Sequence, residues 1–215
     1  MNNQIQWQDV VANLPSGSIA IGVSKRQPIE NVHKVVDAGC HTLGENYVEG
    51  LVERRQQFPD IELHYIGALQ SRKIETIVEN ADFIHTLTRV KEAKIAQAVE
   101  TKLQTKRQYL MQINIGDEPQ KNGVPTSQVI DTWRSLRESA PLLNICGLMM
   151  IGPTHTNPED QVQDFDDMGK FRNEIQAFDS NCRHLSMGMS HDWQVALQHG
   201  ATMVRIGQAL FGTRE

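Results

Sequence analysis

The sequence predicts a closed (β/α)8 barrel, and three observations carry the prediction. Eight strand-like apolar segments alternate with helix-like segments along the chain. No long linker or low-complexity segment interrupts them. The 215 residues suffice for one domain with a sizeable core. Eight alternating units in a chain of this size fit a barrel, with helices packed outside a parallel sheet. An open doubly wound sheet is the alternative. It usually has fewer strands, and no Gly-x-Gly-x-x-Gly turn is present here. Residues 1–215 are therefore read as one domain, with a short helical segment ahead of the first strand.

The elements follow in order. Strand 19–24 is the branched run Ile19-Ala-Ile-Gly-Val-Ser24. Helix 28–38 opens on Pro28, sets Ile29, Val32, Val35 and Val36 on one face, and is followed by Gly39. Strand 41–44 leads through Glu45 and Asn46 to helix 47–57. Strand 62–67 precedes helix 71–79, with Ile74, Ile77 and Val78. Strand 83–87 precedes helix 89–103, with Val90, Ala93, Ile95, Ala96, Val99 and Leu103. Strand 109–115, with Asn114 late in it, precedes helix 125–139, carrying Val129, Ile130, Trp133 and Leu136. Strand 143–151 precedes helix 158–178, where Val162, Phe165, Met168, Phe171, Ile175 and Phe178 recur every three or four residues. Strand 183–187 breaks at Ser190, read as an N-cap with Asp192 in the first turn. Strand 202–206 breaks at Gly207, which opens a short helical run over 208–211.

Composition removes several classes. A net charge of −5 and a pI of about 5.9 argue against a nucleic-acid footprint. No apolar stretch approaches a membrane span, and the polar N-terminus lacks the regions of a signal peptide. Cys40, Cys146 and Cys182 are odd in number and widely spaced, which reads as buried free thiols in the cytoplasm. The histidines show no HxxxH or HExxH pair and read as surface or strand-start residues, so no metal site is expected. A single barrel stands alone, so a monomer is expected.

Lys25 closes the first strand. A lysine there either snorkels to solvent or does chemistry, since desolvation frees a neutral amine that attacks an aldehyde. At the other end of the chain, Leu185-Ser-Met-Gly-Met-Ser190 and Val204-Arg-Ile-Gly207 each run from a strand into a helix start. Helix starts offer unpaired N–H groups to an anion, and glycine permits close approach. In a barrel the strand ends converge on one face, and phosphate often binds after strands seven and eight. Strands one and eight are neighbours, so Lys25 and Arg205 would face each other beside a phosphate cup. The blander reading of Arg205 is a salt bridge or an exposed strand-end charge. Glu45 reads as a hydrogen-bonding group more than a catalytic carboxylate, Tyr47 as packing, and Met187 and Met189 as pocket wall or core. Lys121 and Gly123 form either a loop over the site or a solvated turn.

The chain resembles the pyridoxal-phosphate homeostasis protein family, itself similar to the N-terminal barrel of alanine racemase. The resemblance rests on Val23-Ser-Lys25 with Pro28, Gly44-Glu-Asn-Tyr-Val48, His64-Tyr-Ile-Gly67 with Leu69-Gln70 and Lys73, and the stretch from Asn114 through Lys121 and Gly123. Gly147-Leu-Met149, Leu185 to Ser190 with Asp192, Val204-Arg-Ile-Gly207 and Phe211-Gly212 complete it. Departures are Leu43 and Tyr65 for phenylalanines, Arg72 for an asparagine, Glu49-Gly50 for Gln-Glu, and a shorter segment before strand one.

The resemblance implies a fold-type III barrel that binds pyridoxal 5′-phosphate (PLP) as a Schiff base on Lys25. Arg205 would face the pyridine nitrogen, Ser190 and the backbone of Gly207 and Gln208 would hold the phosphate, and Asn46 and Met149 would complete the cofactor-binding set. No catalytic residue is assigned. The implied role is a PLP carrier in vitamin B6 and amino-acid homeostasis, with apo PLP-dependent enzymes as recipients. Two other readings stand beside it: a weak PLP-dependent racemase and a cofactor-free Schiff-base aldolase. The chain ends at Glu215, whereas the racemases carry a second domain that supplies an opposing base, so the carrier is expected.

Overall fold

In the computed structural model, which describes residues 5–152 and 158–212, eight parallel strands close into a barrel. They are β1 (Ile19–Val23), β2 (Thr42–Glu45), β3 (Glu62–Tyr65), β4 (Phe83–Leu87), β5 (Gln108–Asn114), β6 (Asn144–Met150), β7 (His184–Ser186) and β8 (Met203–Ile206). Register is set by pairs such as Gly22 with Leu43 between β1 and β2, and Ile21 with Arg205 between β1 and β8. Pairing of Phe83 with Gln108 closes the ring between β4 and β5. A two-residue strand, Val124–Pro125, adds to the end of β5 and is not foreseen in the sequence.

The helices are α1 (Trp7–Ala12), α2 (Ile29–Asp37), α3 (Val48–Gln57), α4 (Ile74–Asn80), α5 (Val90–Leu103), α6 (Val129–Ser139), α7 (Pro158–Gln176), α8 (Trp193–Gln198) and α9 (Gln208–Phe211). The expected helices over 71–79 and 125–139 each begin with a 3₁₀ turn, Ser71–Lys73 and Thr126–Gln128. Glu45, expected after the second strand, is its last residue. The helical periodicity translates into one buried face per helix: Val32 and Val35 of α2, Ala93, Ala96 and Val99 of α5, Val129, Trp133 and Leu136 of α6. Trp133 is fully buried, yet its indole N–H donates to Asp179 Oδ2 at 3.0 Å, so its ring nitrogen is not stranded.

Two apolar layers result. One lies between barrel and helices. The other fills the barrel itself, where Ile21, Phe83, Leu110, Cys146, Met149 and Met203 pack together. All three cysteines are buried free thiols. Among the described residues no helix is long and apolar enough to cross a membrane. Met1 to Gln4, His155 and Glu215, which enter the sequence reading, lie outside the described residues.

Candidate functional site at the C-terminal mouth of the barrel

The chain leaves β1 through a pinned turn. Ser24 N donates to Gly44 O at 3.0 Å, and Gln27 N donates back to Ser24 O at 3.0 Å. Between them Arg26 takes a left-handed φ of 58°. Ser24 Oγ donates to Glu45 Oε1 at 2.6 Å. Arg54 of α3 reaches the same carboxylate oxygen with Nε at 3.4 Å, an ion pair without a well-formed hydrogen bond, and its Nη2 donates to Gln27 O at 2.9 Å. Burial pushes the Glu45 carboxyl up, while Ser24 and Arg54 hold it down. Glu45 therefore braces the turn that carries Lys25, and Lys25 stands two residues beyond the strand.

Beyond that turn opens a cleft of about 310 Å³. Lys25, Asn46, Met149 and Ser190 line it, as do Arg205, Gly207 and Gln208, so all seven sequence-predicted residues meet there. Ile66, Ile151 and Met189 supply apolar wall. Met187 is core instead. Asn46 Nδ2 donates to Ile66 O at 3.4 Å, and its Oδ1 is buried without a partner among the described residues. Gly67 permits this packing, because a Cβ there would lie 1.9 Å from Asn46 O.

Ser190 corrects the sequence reading. It does not cap the following helix: Asp192 occupies the cap position, its carboxylate takes the Met189 N–H, and α8 starts at Trp193. The turn before it passes through Gly188 at a left-handed φ of 89°. Ser190 Oγ instead accepts from Gly207 N and Ala209 N, both at 3.1 Å, and so bonds to the start of α9. One oxygen position is thus addressed by two backbone amides.

Arg205 is only 4% exposed. Its Nη1 donates to Ser186 Oγ at 2.7 Å and its Nη2 to Met150 O at 2.8 Å. Burial brings its pKa down to about 10, which leaves it cationic at neutral pH. It is a buried, tethered cation and not an exposed strand-end charge.

The histidine reading also needs correction. His64 and His85 are fully buried, in mid-strand, and hydrogen-bonded to each other across 2.7 Å. The signal was in the sequence: in β3, apolar Leu63 and Tyr65 alternate with Glu62 and His64, so one face of the strand is polar. Tyr47 is 43% exposed, with the Arg26 guanidinium 5.2 Å from its ring centroid. Lys121 and Gly123 line a neighbouring cavity of about 350 Å³ and not the Lys25 cleft, and Lys121 Nζ donates to Gly152 O at 3.3 Å.

Comparison with known proteins agrees with this architecture. Residues 7–215 match the family model for the alanine racemase N-terminal domain. The pyridoxal phosphate homeostasis protein of Aquifex aeolicus is 35% identical over 198 residues, covering 91% of this chain and 86% of that protein. The protein of that name from Pasteurella multocida is 36% identical over 222 residues, covering all of this chain and 95% of its own. Among solved structures, PipY of Synechococcus elongatus PCC7942 with PLP bound superposes with a TM-score of 0.88 at 28% identity, covering 96% of this chain and 98% of PipY. Alanine racemase of Clostridium difficile 630 shares the fold, with a TM-score of 0.82 at 14% identity, and this chain spans 57% of it. A closed parallel barrel, a lysine beside its first strand and a near full-length match to these relatives together place the chain in the pyridoxal phosphate homeostasis protein family.

Proposed function

We propose that the cleft holds PLP through Lys25 and that the chain serves as a PLP carrier in vitamin B6 and amino-acid homeostasis without sustained turnover. The observation that carries this reading is the meeting of three groups in one cleft: the Lys25 amine, the Ser190 hydroxyl held by two backbone amides, and the buried Arg205 cation. When bound, PLP supplies an aldehyde that an amine captures and a ring that draws electron density. Lys25 is the amine that would hold it. The Gly207 and Ala209 amides and the Ser190 hydroxyl suit a phosphate, which accepts the hydrogen bonds these amides now give to Ser190. Asn46 Oδ1, a buried acceptor without a partner among the described residues, suits a ligand donor. Met149 and Gln208 wall the cleft.

Arg205 argues for storage over catalysis. A guanidinium only donates, so against the ring nitrogen it disfavours protonation there. An unprotonated ring stabilises a carbanion poorly. The relatives' names support the same role, and PipY with PLP bound supports the ligand. Recipients would be apo PLP-dependent enzymes, and we place a monomeric carrier in the cytoplasm.

The test is the visible absorbance of the purified protein followed by borohydride reduction and peptide mapping. A yellow protein with its reduced adduct on Lys25 is expected. A colourless protein that takes up no added PLP, or an adduct on Lys73 or another lysine, refutes the reading.

A further inference from the structure

The barrel interior carries a continuous polar path that the cleft alone does not explain. Arg205 Nη1 donates to Ser186 Oγ at 2.7 Å. Ser186 Oγ lies 3.0 Å from His85 Nδ1, and His85 Nε2 lies 2.7 Å from His64 Nδ1. His64 Nε2 lies 2.7 Å from Glu62 Oε1. The path starts on β8, steps to β7, crosses the lumen to β4 and ends on β3. Ser186, His85 and His64 are each fully buried, whereas the Glu62 side chain is 42% exposed at the opposite end of the barrel. Phe83 flanks both imidazoles, stacked on His64 and edge-on to His85, so water does not replace these partners from that side.

With both imidazoles neutral the donors can be ordered in one way only. An ionised Glu62 accepts and cannot donate, so His64 Nε2 carries the proton. Its Nδ1 is then an acceptor, and His85 Nε2 must supply the hydrogen. His85 Nδ1 becomes an acceptor in turn, which requires the Ser186 hydroxyl to donate to it. That rotation leaves a Ser186 lone pair facing Arg205 Nη1, and Arg205 has nothing but donors to offer. Two directions of pKa shift agree with this state: burial first, with the Arg205 cation adding to it, holds His85 well below 6.5, and the hydrogen bond from His64 holds Glu62 below 4.5.

We propose that Ser186, His85, His64 and Glu62 form a one-way hydrogen-bond chain through the barrel whose role is to position the Arg205 guanidinium against the ring of the ligand held at Lys25. The ligand clause rests on the PLP reading above. The chain itself rests on the four distances. A guanidinium on a flexible stem has many rotamers, and two fixed acceptors, Ser186 Oγ and Met150 O, choose one. If the Ser186 hydroxyl turned toward Arg205, donor would face donor. His85 and His64 prevent this by claiming that hydrogen. They are positioning residues, acting through Ser186 without touching the ligand.

The experiment has two arms. In the first, two-bond 1H–15N correlation spectra of the full chain, stripped of cofactor, report imidazole tautomers near neutral pH. His64 and His85 are expected as neutral Nε2–H forms. A protonated imidazole or an Nδ1–H form at either position overturns the ordering. In the second arm, the cofactor-loaded protein is compared with His85→Leu, Ser186→Ala and His85→Gln, each checked for a native fold by circular dichroism. Gln offers one acceptor and one donor at a separation close to that of the imidazole nitrogens. His85→Leu and Ser186→Ala are expected to shift the visible absorbance maximum and its pH midpoint and to speed cofactor loss, with His85→Gln restoring both spectral features. Unchanged spectra in Ser186→Ala and in folded His85→Leu overturn the positioning role. A wild-type protein that takes up no PLP removes the PLP reading and with it the ligand clause, while the tautomer arm still decides the chain.

Discussion

Ser190 and His85 are single residues whose chemistry can be read separately. Ser190 Oγ is the acceptor for two backbone amides at the start of α9. Ser190→Ala removes that acceptor and, on the proposed function, a phosphate ligand with it. It should weaken PLP retention by about 1–2 kcal/mol, or about 5–30-fold, measured by equilibrium dialysis. Pyridoxal without its phosphate should bind the wild type much more weakly than PLP, and equal affinities would remove the anchor. His85 leaves a signature in acid stability. Its folded-state pKa lies below 6.5, so the unfolded chain binds the proton more readily. The stability it contributes is complete above pH 6.5 and falls as pH drops below that value. Glu62, held below 4.5, contributes in the same direction at lower pH. Urea titrations across pH 4.5–7 should therefore lose stability on acidification, and His85→Gln should flatten the upper part of that curve.

At the scale of elements, the turn between β1 and α2 is the part that presents Lys25, and a buried ion pair braces it. Glu45 and Arg54 are 1% and 2% exposed. Arg54→Met would leave the Glu45 carboxylate buried without its cation. We expect a loss of about 3–5 kcal/mol in urea unfolding, partly recovered in the double variant with Glu45→Gln. A single variant as stable as the wild type would show that the brace contributes nothing. The same elements show what a sequence makes legible. Apolar runs and helical periodicity located every barrel strand to within a residue or two, because burial on both faces leaves long apolar segments. Turn chemistry was harder. Ser190 has the side chain of a cap, but the amides it serves are those of Gly207 and Ala209, and such pairing across loops has no local signature. His64 and His85 were misread for a related reason. A histidine is buried when partners await it, and Ser186 lies 101 residues from His85. The alternating pattern of β3 was visible, but only the closed barrel shows that its polar face looks inward.

At the scale of the whole molecule, the barrel gathers residues from both ends of the chain at one mouth. Lys25 and Asn46 follow the first two strands, Ser190, Gly207 and Gln208 follow the last two, and Arg205 lies near the end of β8. The register that sets Ile21 against Arg205 brings the two groups together. What the molecule then does depends on how the bound ring is held. With Arg205 as a buried cation in the cleft, PLP should be retained without substantial racemase, decarboxylase or transaminase turnover. The most direct test is exchange of the alpha proton of L-alanine in deuterated water, followed by NMR with PLP-loaded protein. No exchange above the rate given by free PLP is expected from a carrier. Rapid exchange by the wild type that is abolished in Lys25→Ala would contradict it and make the protein an enzyme.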